Sequence, residues 1–287
     1  MLAALAVGTG LTIWQLHRTS PQTQPSVQAL IDIGLPDALN PVPDKTIEAE
    51  GVMVWDTDAQ RILFEQHGFD RHPMASITKI MTAMVAIDNG INWNQEADIN
   101  LNEYGPGGNL ILQPGEEVSM RDLVAASLVG SANNATKAYV RHLGIDTDEF
   151  VQRMNRKAIE LGLEQTTFTE VTGLKDTNVS TAYEIARMSE IAFNQYPDIA
   201  HLTAQSEYTF SILNSNREHT IRNTNKLIAD GVIAMTGSKT GYLDEAKYCL
   251  AVQGSGDFKN KIVVVLGSPS QDINEAAVLS LLKRVFP

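Results

Sequence analysis

Cysteine is nearly absent from this sequence of 287 residues, whose single example, Cys249, cannot form an internal disulfide. That residue lies in the apolar run 248–252 and is expected to be a buried hydrophobic side chain, because no histidine stands nearby to activate it as a nucleophile. The sequence also has no Cys-x-x-Cys and no His-Glu-x-x-His pattern. We therefore predict neither a metal site nor a cofactor.

Positive charge is scarce as well. Lys and Arg number 22 against 34 Asp and Glu, which gives a formal net charge of −12 at pH 7. Nucleic-acid binding depends on cationic side chains that neutralise phosphates, so this balance argues against a nucleic-acid partner. Two catalytic signatures are also missing. There is no Gly-x-Ser-x-Gly elbow, and Gly237-Ser238-Lys239-Thr240 lacks the glycine that a phosphate-binding loop has directly before its lysine.

The first 48 residues differ in composition from the rest. Residues 1–16 (MLAALAVGTGLTIWQL) carry no charged side chain. This uncharged run is shorter than the about 20 apolar residues that a membrane-spanning helix needs. We therefore predict a signal or membrane-anchor segment, with an ordinary buried segment as the alternative. Residues 17–48 are rich in Pro, Gln, Thr and Ser and are predicted to be a flexible polar linker. Residues 49–287 are long enough for one domain with a hydrophobic core.

Periodicity places strands at both ends of this domain and helices in the middle. Strands are predicted at 51–55, 61–65, 207–212, 232–239, 247–253 and 261–266, and helices at 76–89, 119–130, 147–161 and 182–196 and from 272 onward. The first strands can pair with the last only if the two ends meet. We therefore predict an α/β domain with one antiparallel sheet, closed by both ends and covered by helices on its faces.

Chemistry is concentrated in three short signals, and the first is Ser76-Ile77-Thr78-Lys79. Ser76 is expected in the first turn of a buried helix, where free N–H groups favour developing negative charge. Lys79 lies at i+3 on the same face, and burial favours its neutral amine, which can act as a base for Ser76. The structural alternative is that Ser76 only caps the helix and that Lys79 extends to water.

The other two signals are Ser131-Ala132-Asn133 and Lys239-Thr240-Gly241. The first is expected at a break between two helices, where its side chains can point into a cleft. The second is expected at the end of a strand, where it offers a cation, a hydroxyl and a backbone that an anionic ligand can approach closely. Each also has a plain structural explanation, as a capping loop or a polar strand end. A second Ser-x-x-Lys, at residues 280–283, is predicted to be a solvated face of the last helix.

Taken in this order, the three signals are similar to the SxxK, SxN and KTG motifs of penicillin-recognising serine enzymes. Residues 50–285 resemble the low-molecular-mass D-alanyl-D-alanine carboxypeptidases in particular. The similarity extends to the blocks PMASITKIMTAMVA, LQPGEEVSMRDLVAASLVGSANNAT, FVQRMNRKAIELGLEQTTF, TGLKDTNVSTAYEIARM, NTNKLIADG and SKTGYLDEAKYCLAV. The resemblance implies a β-lactamase/transpeptidase-like fold, with a central antiparallel sheet flanked by helices and an all-helical lobe.

The resemblance also implies a role for each matched residue. Ser76 would attack the D-Ala-D-Ala carbonyl, Lys79 would take its proton and Ser131 would relay a proton to the leaving amine. Asn133 would orient Lys79 and the substrate amide. Lys239 and Thr240 would hold the terminal carboxylate of the substrate, with Gly241 beside them in the binding site. The N–H groups of Ser76 and Tyr242 would form the oxyanion hole. Expected partners are peptidoglycan stem peptides and, as covalent inhibitors, β-lactams. The expected location is the outer side of the cytoplasmic membrane, with the N-terminal segment as the only membrane contact.

Two departures and three alternatives accompany this resemblance. The family commonly has Ser-Gly-Asn-Asp where this chain has 131–134 SANN, and Asn-Pro-His-Gly-Leu where it has 170–174 EVTGL. A DD-endopeptidase that cuts cross-links is the main alternative. A class A β-lactamase needs Glu-x-x-x-Asn after the second motif, but Glu164 and Glu170 are followed at that spacing by Phe168 and Leu174. A non-catalytic sensor of cell-wall peptide or β-lactam is the third.

Overall fold

Residues 46–285 are described by the computed structural model, so the predicted segment 1–16 and nearly all of the predicted linker 17–48 lie outside the described residues. The strands are β1 Gly51–Asp56, β2 Arg61–Gln66, β3 His72–Pro73, β4 Glu96–Ala97, β5 Val118–Ser119, β6 Val179–Ser180, β7 Glu207–Ser211, β8 Glu218–Arg222, β9 Met235–Leu243, β10 Lys247–Gly254 and β11 Lys261–Ser268. The helices are α1 Thr78–Asp88, α2 Met120–Leu128, α3 Asn133–His142, α4 Thr147–Glu160, α5 Ala182–Gln195, α6 Pro197–Thr203, α7 Lys226–Ala229 and α8 Gln271–Val285.

Five of these strands form the central sheet, in the order β2-β1-β11-β10-β9. All four neighbouring pairs are antiparallel, and the first strand lies directly beside the last, with Gly51 opposite Leu266. This confirms the predicted sheet closed by the two ends of the domain. Its central strands are continuous apolar runs because both faces are covered.

Side chains of the central strands alternate between two hydrophobic clusters. One face, here called the front face, carries Met53, Ala251 and Val264 and packs against the helical part of the molecule. The other, here called the back face, carries Val52, Val252 and Val263 and packs against α8 through Val278, Leu281 and Leu282. Helices therefore cover the sheet on both sides, as predicted.

Most helix boundaries follow their capping residues. The Ser119 hydroxyl accepts from the Asp122 N–H at 3.2 Å and caps α2, and the Thr181 hydroxyl accepts from the Glu184 N–H at 3.1 Å and caps α5. The last helix starts slightly earlier than predicted. Gln271 is its first residue, and the Ser270 hydroxyl accepts from the Ile273 N–H at 3.2 Å. Ser270, two residues before the predicted start at 272, therefore supplies the oxygen that caps the helix.

Two strand predictions need correction. The strand predicted at 207–212 does not join the central sheet, because β7 pairs with β8 in a separate hairpin. The strand predicted at 232–239 begins at Met235 and continues to Leu243. Lys239-Thr240-Gly241 therefore lies in the middle of a strand, since β10 pairs with every residue from Gly237 to Leu243. Local composition does not show which strands form hydrogen bonds with each other.

Between residues 46 and 285, no helix is long and apolar enough to cross a membrane.

Candidate active site

The site begins at a short 3₁₀ turn, Ala75–Ile77, that leads directly into the buried helix α1. Ala75 has a positive φ of 47°, a conformation that a side-chain-bearing residue adopts at a cost. This backbone presents the half-buried Ser76 at the start of the helix, as the sequence predicted. Lys79 follows one turn later, with its Nζ 2.8 Å from Ser76 Oγ.

Lys79 is entirely buried, although it is a lysine on an apolar helix. Its Nζ contacts three oxygens: Ser76 Oγ at 2.8 Å, Asn133 Oδ1 at 2.7 Å and the Thr172 carbonyl at 2.6 Å. Burial lowers the pKa of Lys79 well below its usual value, and the positive charge of Lys239 lowers it further. Both effects increase the neutral fraction of Lys79, and a neutral amine beside the serine hydroxyl is what a general base for Ser76 requires.

Ser131 and Asn133 occupy the break between α2 and α3, where the sequence placed them. Ser131 has a positive φ of 58°, and Asn133 is the first residue of α3. The Asn133 amide is fixed from two directions, since its Oδ1 accepts from Lys79 and its Nδ2 donates to the Pro106 carbonyl at 3.0 Å. The loop before it needs glycine, because a Cβ on Gly107 would lie 2.6 Å from Asn133 Nδ2.

Strand β9 brings the third motif against the first two. Lys239 is buried, and its Nζ donates to Ser131 Oγ at 3.0 Å and to the Thr240 carbonyl at 3.1 Å. Burial lowers the pKa of Lys239 to about 7. A Cβ on Gly241 would lie 3.1 Å from the Ser76 nitrogen, so this glycine lets the strand pass close to the serine backbone.

These residues surround one cavity of about 300 Å³. Among the residues named from the sequence, its walls include Ser76, Ser131, Asn133, Thr240, Gly241 and Tyr242. Lys79 and Lys239 lie behind this wall and reach it through the two serine hydroxyls. The Tyr242 ring is 49% exposed at the edge of the cavity, and its centroid lies 4.5 Å from that of Tyr248. All eight predicted residues are therefore brought together.

Several further residues at the site had not been predicted. The cavity is also lined by Gly107, Gly108, Gly173, Leu174, Thr224 and Glu275. Thr224 Oγ1 lies 2.6 Å from Thr240 Oγ1, and the Thr172 carbonyl contacts Lys79. The glycines at 107 and 108 belong to the run Gly105-Pro106-Gly107-Gly108, whose composition is typical of a turn. A backbone carbonyl such as that of Thr172 carries no residue-specific signal, so composition could not reveal it.

Asn134 accounts for one departure from the family pattern. Its Oδ1 accepts from the Leu110 N–H at 2.8 Å, and its Nδ2 donates to the Leu110 carbonyl at 2.8 Å. An ionised aspartate at this position could accept but not donate, so only the amide satisfies both backbone groups of Leu110. The asparagine therefore fastens the irregular segment before α2 to helix α3. Over residues 46–285, no group of three or more His, Cys, Asp or Glu side chains is placed to hold a metal ion.

Comparison with known sequences agrees with this geometry. The profile of peptidase family S11, D-alanyl-D-alanine carboxypeptidase, matches residues 38–270. The chain belongs to this family. The resemblance that the three motifs suggested is thereby confirmed.

Relatives in the family have two different activities in their names. The D-alanyl-D-alanine carboxypeptidase DacF of Bacillus subtilis is 32% identical over 83% of this chain and 62% of its own length. A D-alanyl-D-alanine endopeptidase of Pseudomonas aeruginosa is also 32% identical, over 70% of this chain and 65% of its own length. The chain thus spans less than two thirds of the length of either relative.

A solved structure confirms the fold. The crystal structure of the Streptomyces K15 DD-transpeptidase superposes with a TM-score of 0.78 at 24% identity, over 85% of this chain and 99% of the transpeptidase. The predicted transpeptidase-like fold, with its central antiparallel sheet and flanking helices, is therefore confirmed.

Proposed function

We propose that this protein is a serine-type D-Ala-D-Ala carboxypeptidase that acts on peptidoglycan stem peptides through an acyl-enzyme on Ser76. The contact that carries the proposal is the 2.8 Å separation of Lys79 Nζ and Ser76 Oγ inside a buried environment. A lysine that only stabilised the fold would extend its ammonium to water, because burying the charge is costly. Membership of the D-alanyl-D-alanine carboxypeptidase family supports the same assignment.

In the proposed acylation step, neutral Lys79 removes the Ser76 proton while Ser76 Oγ attacks the carbonyl carbon of the penultimate D-Ala. The negative charge moves to the carbonyl oxygen, where the backbone N–H groups of Ser76 and Tyr242 would stabilise it. Asn133 accepts from Lys79 through its Oδ1 and would also orient the substrate amide. The geometry favours reaction because these groups are already hydrogen-bonded before substrate arrives.

Collapse of the tetrahedral intermediate then breaks the C–N bond. The leaving nitrogen would take the proton that Lys79 removed from Ser76, relayed through the hydroxyl of Ser131, which is hydrogen-bonded to Lys239 Nζ. Lys239, with Thr240 and the close-passing backbone at Gly241, would hold the carboxylate of the departing D-Ala. In deacylation, Lys79, neutral again, would take a proton from water as the water oxygen attacks the ester carbonyl, and Lys79 would return that proton to Ser76 Oγ as the ester C–O bond breaks. A β-lactam would enter the same cycle at acylation, because its strained amide presents a carbonyl and a carboxylate to the same groups.

We propose that the protein works on the outer side of the cytoplasmic membrane, because its proposed substrate lies there. Residues 1–16 would anchor the chain or direct its export, and 17–48 would act as a tether. Cleaving off residues 1–48 with an inserted protease site would test whether these residues act only as an anchor and tether. A soluble domain with unchanged activity on a small D-Ala-D-Ala peptide is expected, whereas loss of folding would show that the tether is part of the domain.

A DD-endopeptidase is the second candidate. The Pseudomonas aeruginosa endopeptidase and the carboxypeptidase DacF are both 32% identical to this chain, over 70% and 83% of it respectively. The cavity is also lined by Glu275 of α8, so its walls extend beyond the three motifs. A cross-link carries a carboxylate on the residue after the scissile bond, so the Lys239 clamp is compatible with both substrates.

Two purified muropeptides separate these candidates. The protein is incubated with a monomeric pentapeptide ending in D-Ala-D-Ala and with a cross-linked dimer, beside a Ser76→Ala control. Release of D-Ala from the pentapeptide with an intact dimer is the expected result. Rapid cleavage of the dimer without release of D-Ala would replace the carboxypeptidase with the endopeptidase.

Intact-mass spectrometry after brief exposure to penicillin separates the remaining alternatives. A penicilloyl adduct on Ser76 that persists for minutes or longer, together with turnover of pentapeptide, is expected of the proposed enzyme. An adduct hydrolysed within seconds would favour a β-lactamase. A stable adduct on a protein that turns over neither muropeptide would favour a sensor.

A further inference from the structure

The turn formed by residues 170–174 lies directly against the serine-lysine pair. Its Thr172 carbonyl accepts from Lys79 Nζ at 2.6 Å. Gly173 has a φ of +84°, and a Cβ there would lie 1.9 Å from the Ala75 carbonyl oxygen. The turn therefore packs against the backbone that presents Ser76, and only glycine allows this approach.

Glu170 holds this turn in shape from within. Its Oε2 accepts from the Thr172 N–H at 2.6 Å and from Thr172 Oγ1 at 2.5 Å. Its Oε1 accepts from the N–H groups of Gly173 and Leu174, the latter at 3.0 Å, and from Asn178 Nδ2 at 2.9 Å. Five donors thus converge on one carboxylate, and ionised carboxylates accept such bonds with particular strength.

Asn178 connects this carboxylate to helix α1. It is fully buried, and its Nδ2 donates to Thr78 Oγ1 at 3.1 Å as well as to Glu170 Oε1. Thr78 is the first residue of α1 and stands next to Lys79. A continuous hydrogen-bonded path therefore joins Glu170 to both the start of the catalytic helix and the carbonyl that accepts from Lys79.

We propose that Glu170 is a positioning residue for the reaction: its carboxylate holds the Thr172 carbonyl against Lys79 Nζ and so aims Lys79 at Ser76. The inference rests on the proposed acyl-enzyme function. Glu170 does not serve as a base for the deacylating water, because both of its oxygens are already occupied by donors from residues 172–174 and 178.

The charges around Lys79 give the proposal a second observable. Lys239 and Lys137 face Lys79 as cations and lower its pKa, whereas Glu170 faces it as an anion and raises it. Neutralising Glu170 is therefore expected to shift the Lys79 titration to lower pH. That shift alone would increase the neutral fraction of Lys79 and speed acylation at low pH, whereas misplacing Lys79 would slow acylation at every pH.

Glu170→Gln tests both effects. The side chain of glutamine has one acceptor oxygen and one donor NH2 group. In one orientation the NH2 group would face the donors of Thr172, and in the other it would face the donors of Gly173, Leu174 and Asn178. The turn must then rearrange and withdraw the Thr172 carbonyl. We expect the plateau rate constant for penicillin acylation, normalised to titrated active sites, to fall about 10- to 100-fold. The midpoint of its pH profile should move to lower pH at the same time.

Two further variants keep the test decisive if Glu170→Gln folds poorly. Glu164→Gln makes the same charge change at an exposed position of the preceding segment and should retain both the rate and the midpoint. Glu170→Asp keeps the charge but shortens the reach, so its plateau should fall while its midpoint stays close to that of the parent protein.

Three outcomes would overturn the proposal. Wild-type plateau and midpoint in Glu170→Gln would remove Glu170 from any positioning role. A lower melting temperature with an unchanged pH midpoint and unchanged rate per active site would reduce it to a structural residue. Normal acylation by Glu170→Gln with an adduct that persists much longer than that of the parent protein would make Glu170 a deacylation base. Penicillin is the probe in each case, so a failure of the carboxypeptidase assignment, detected with muropeptides, leaves this test unaffected.

Discussion

The two faces of the central sheet use buried side chains differently. On the back face, Val52, Val252 and Val263 meet Val278 and Leu282 of α8 in an aliphatic layer. On the front face, the cluster around Met53 and Val264 adjoins two buried lysines, Lys79 and Lys239. Aliphatic burial stabilises the fold, whereas a buried lysine opposes folding because its ammonium loses hydration. The back face thus supports stability, and the front face uses part of that stability to hold chemically primed groups.

The largest effect is expected when the proposed nucleophile, the Ser76 hydroxyl, is removed from the front face. Ser76→Ala should abolish the penicillin adduct, because no other hydroxyl stands within hydrogen-bond distance of Lys79 Nζ in the described structure. The matched control is Ser280→Ala, which alters the other Ser-x-x-Lys sequence, on α8 at the back face. It should label like the parent protein in intact-mass spectrometry. An adduct that survives Ser76→Ala would refute the assignment of the nucleophile.

Changing the base is expected to have the next largest effect. Lys79→Arg keeps a positive charge that cannot be given up, so acylation should fall by about 10³-fold, within the range of general-base catalysis. In the parent protein, the rate constant for acylation at saturating penicillin should rise with pH through a midpoint well below the ordinary lysine value of 10.5, because burial and Lys239 lower the pKa of Lys79. Stopped-flow acylation between pH 5 and 10 measures both. Near-normal acylation by Lys79→Arg would exclude Lys79 as the base.

A back-face substitution should separate stability from chemistry. Leu282→Ala removes a fully buried side chain between α8 and the sheet, and we expect a loss of about 2–4 kcal/mol in the free energy of unfolding. The rate constant for acylation per folded molecule should stay within about twofold of the parent value at temperatures where both proteins are folded. Urea unfolding and stopped-flow acylation measure the two quantities. A large loss of rate would show that the faces are coupled.

A smaller effect concerns the charge of Lys239. Burial lowers its pKa to about 7, so the protonated form that binds a carboxylate declines as the pH rises above that value. The KM for a pentapeptide should therefore rise above pH 7, by up to about tenfold per pH unit. The same peptide with a C-terminal amide should show a flat KM. Equal pH dependence for both peptides would argue against Lys239 as the carboxylate-binding group.

The smallest expected effect lies at a helix end. Ser119→Ala removes the hydroxyl that accepts from the Asp122 N–H and also contacts the Asp122 carboxylate at 2.6 Å. We expect a loss of about 1 kcal/mol in the free energy of unfolding, with acylation unchanged. Thermal unfolding monitored by circular dichroism would measure it. A change in acylation would mean that α2 transmits its position to Ser131.

The positions of the candidate-site residues could be predicted from the sequence because their motifs are local. Ser76 and Lys79 are one helical turn apart, and Ser131 and Asn133 belong to one short break, so spacing alone places each pair together. The order of the motifs and the resemblance then brought Lys239 to the same cavity. The sheet was predictable too, because long apolar runs at both ends of the domain must find partners.

Non-local and backbone features escaped this reasoning. The pairing of β7 with β8 and the extension of β9 to Leu243 depend on cross-strand partners, which local composition does not encode. Glu170 was weighed only as a β-lactamase-type base and rejected for its spacing. Its five hydrogen bonds depend mainly on backbone N–H groups, whose direction is set by the folded turn and not by residue type.

The pairing of β1 with β11 has a consequence for how the chain reaches its folded state. Gly51 meets Leu266 across nearly the whole described chain, and β11 lies between β1 and β10. Strands β1 and β10 each lack one neighbouring strand until β11 is in place. Formation of the sheet therefore depends on contacts between residues that are far apart in the sequence. Because the N-terminal end of the chain emerges first during synthesis or export, the sheet cannot be completed before β11 has emerged. We expect slow folding after release and a pulling force on a stalled chain only once residues 261–268 have emerged.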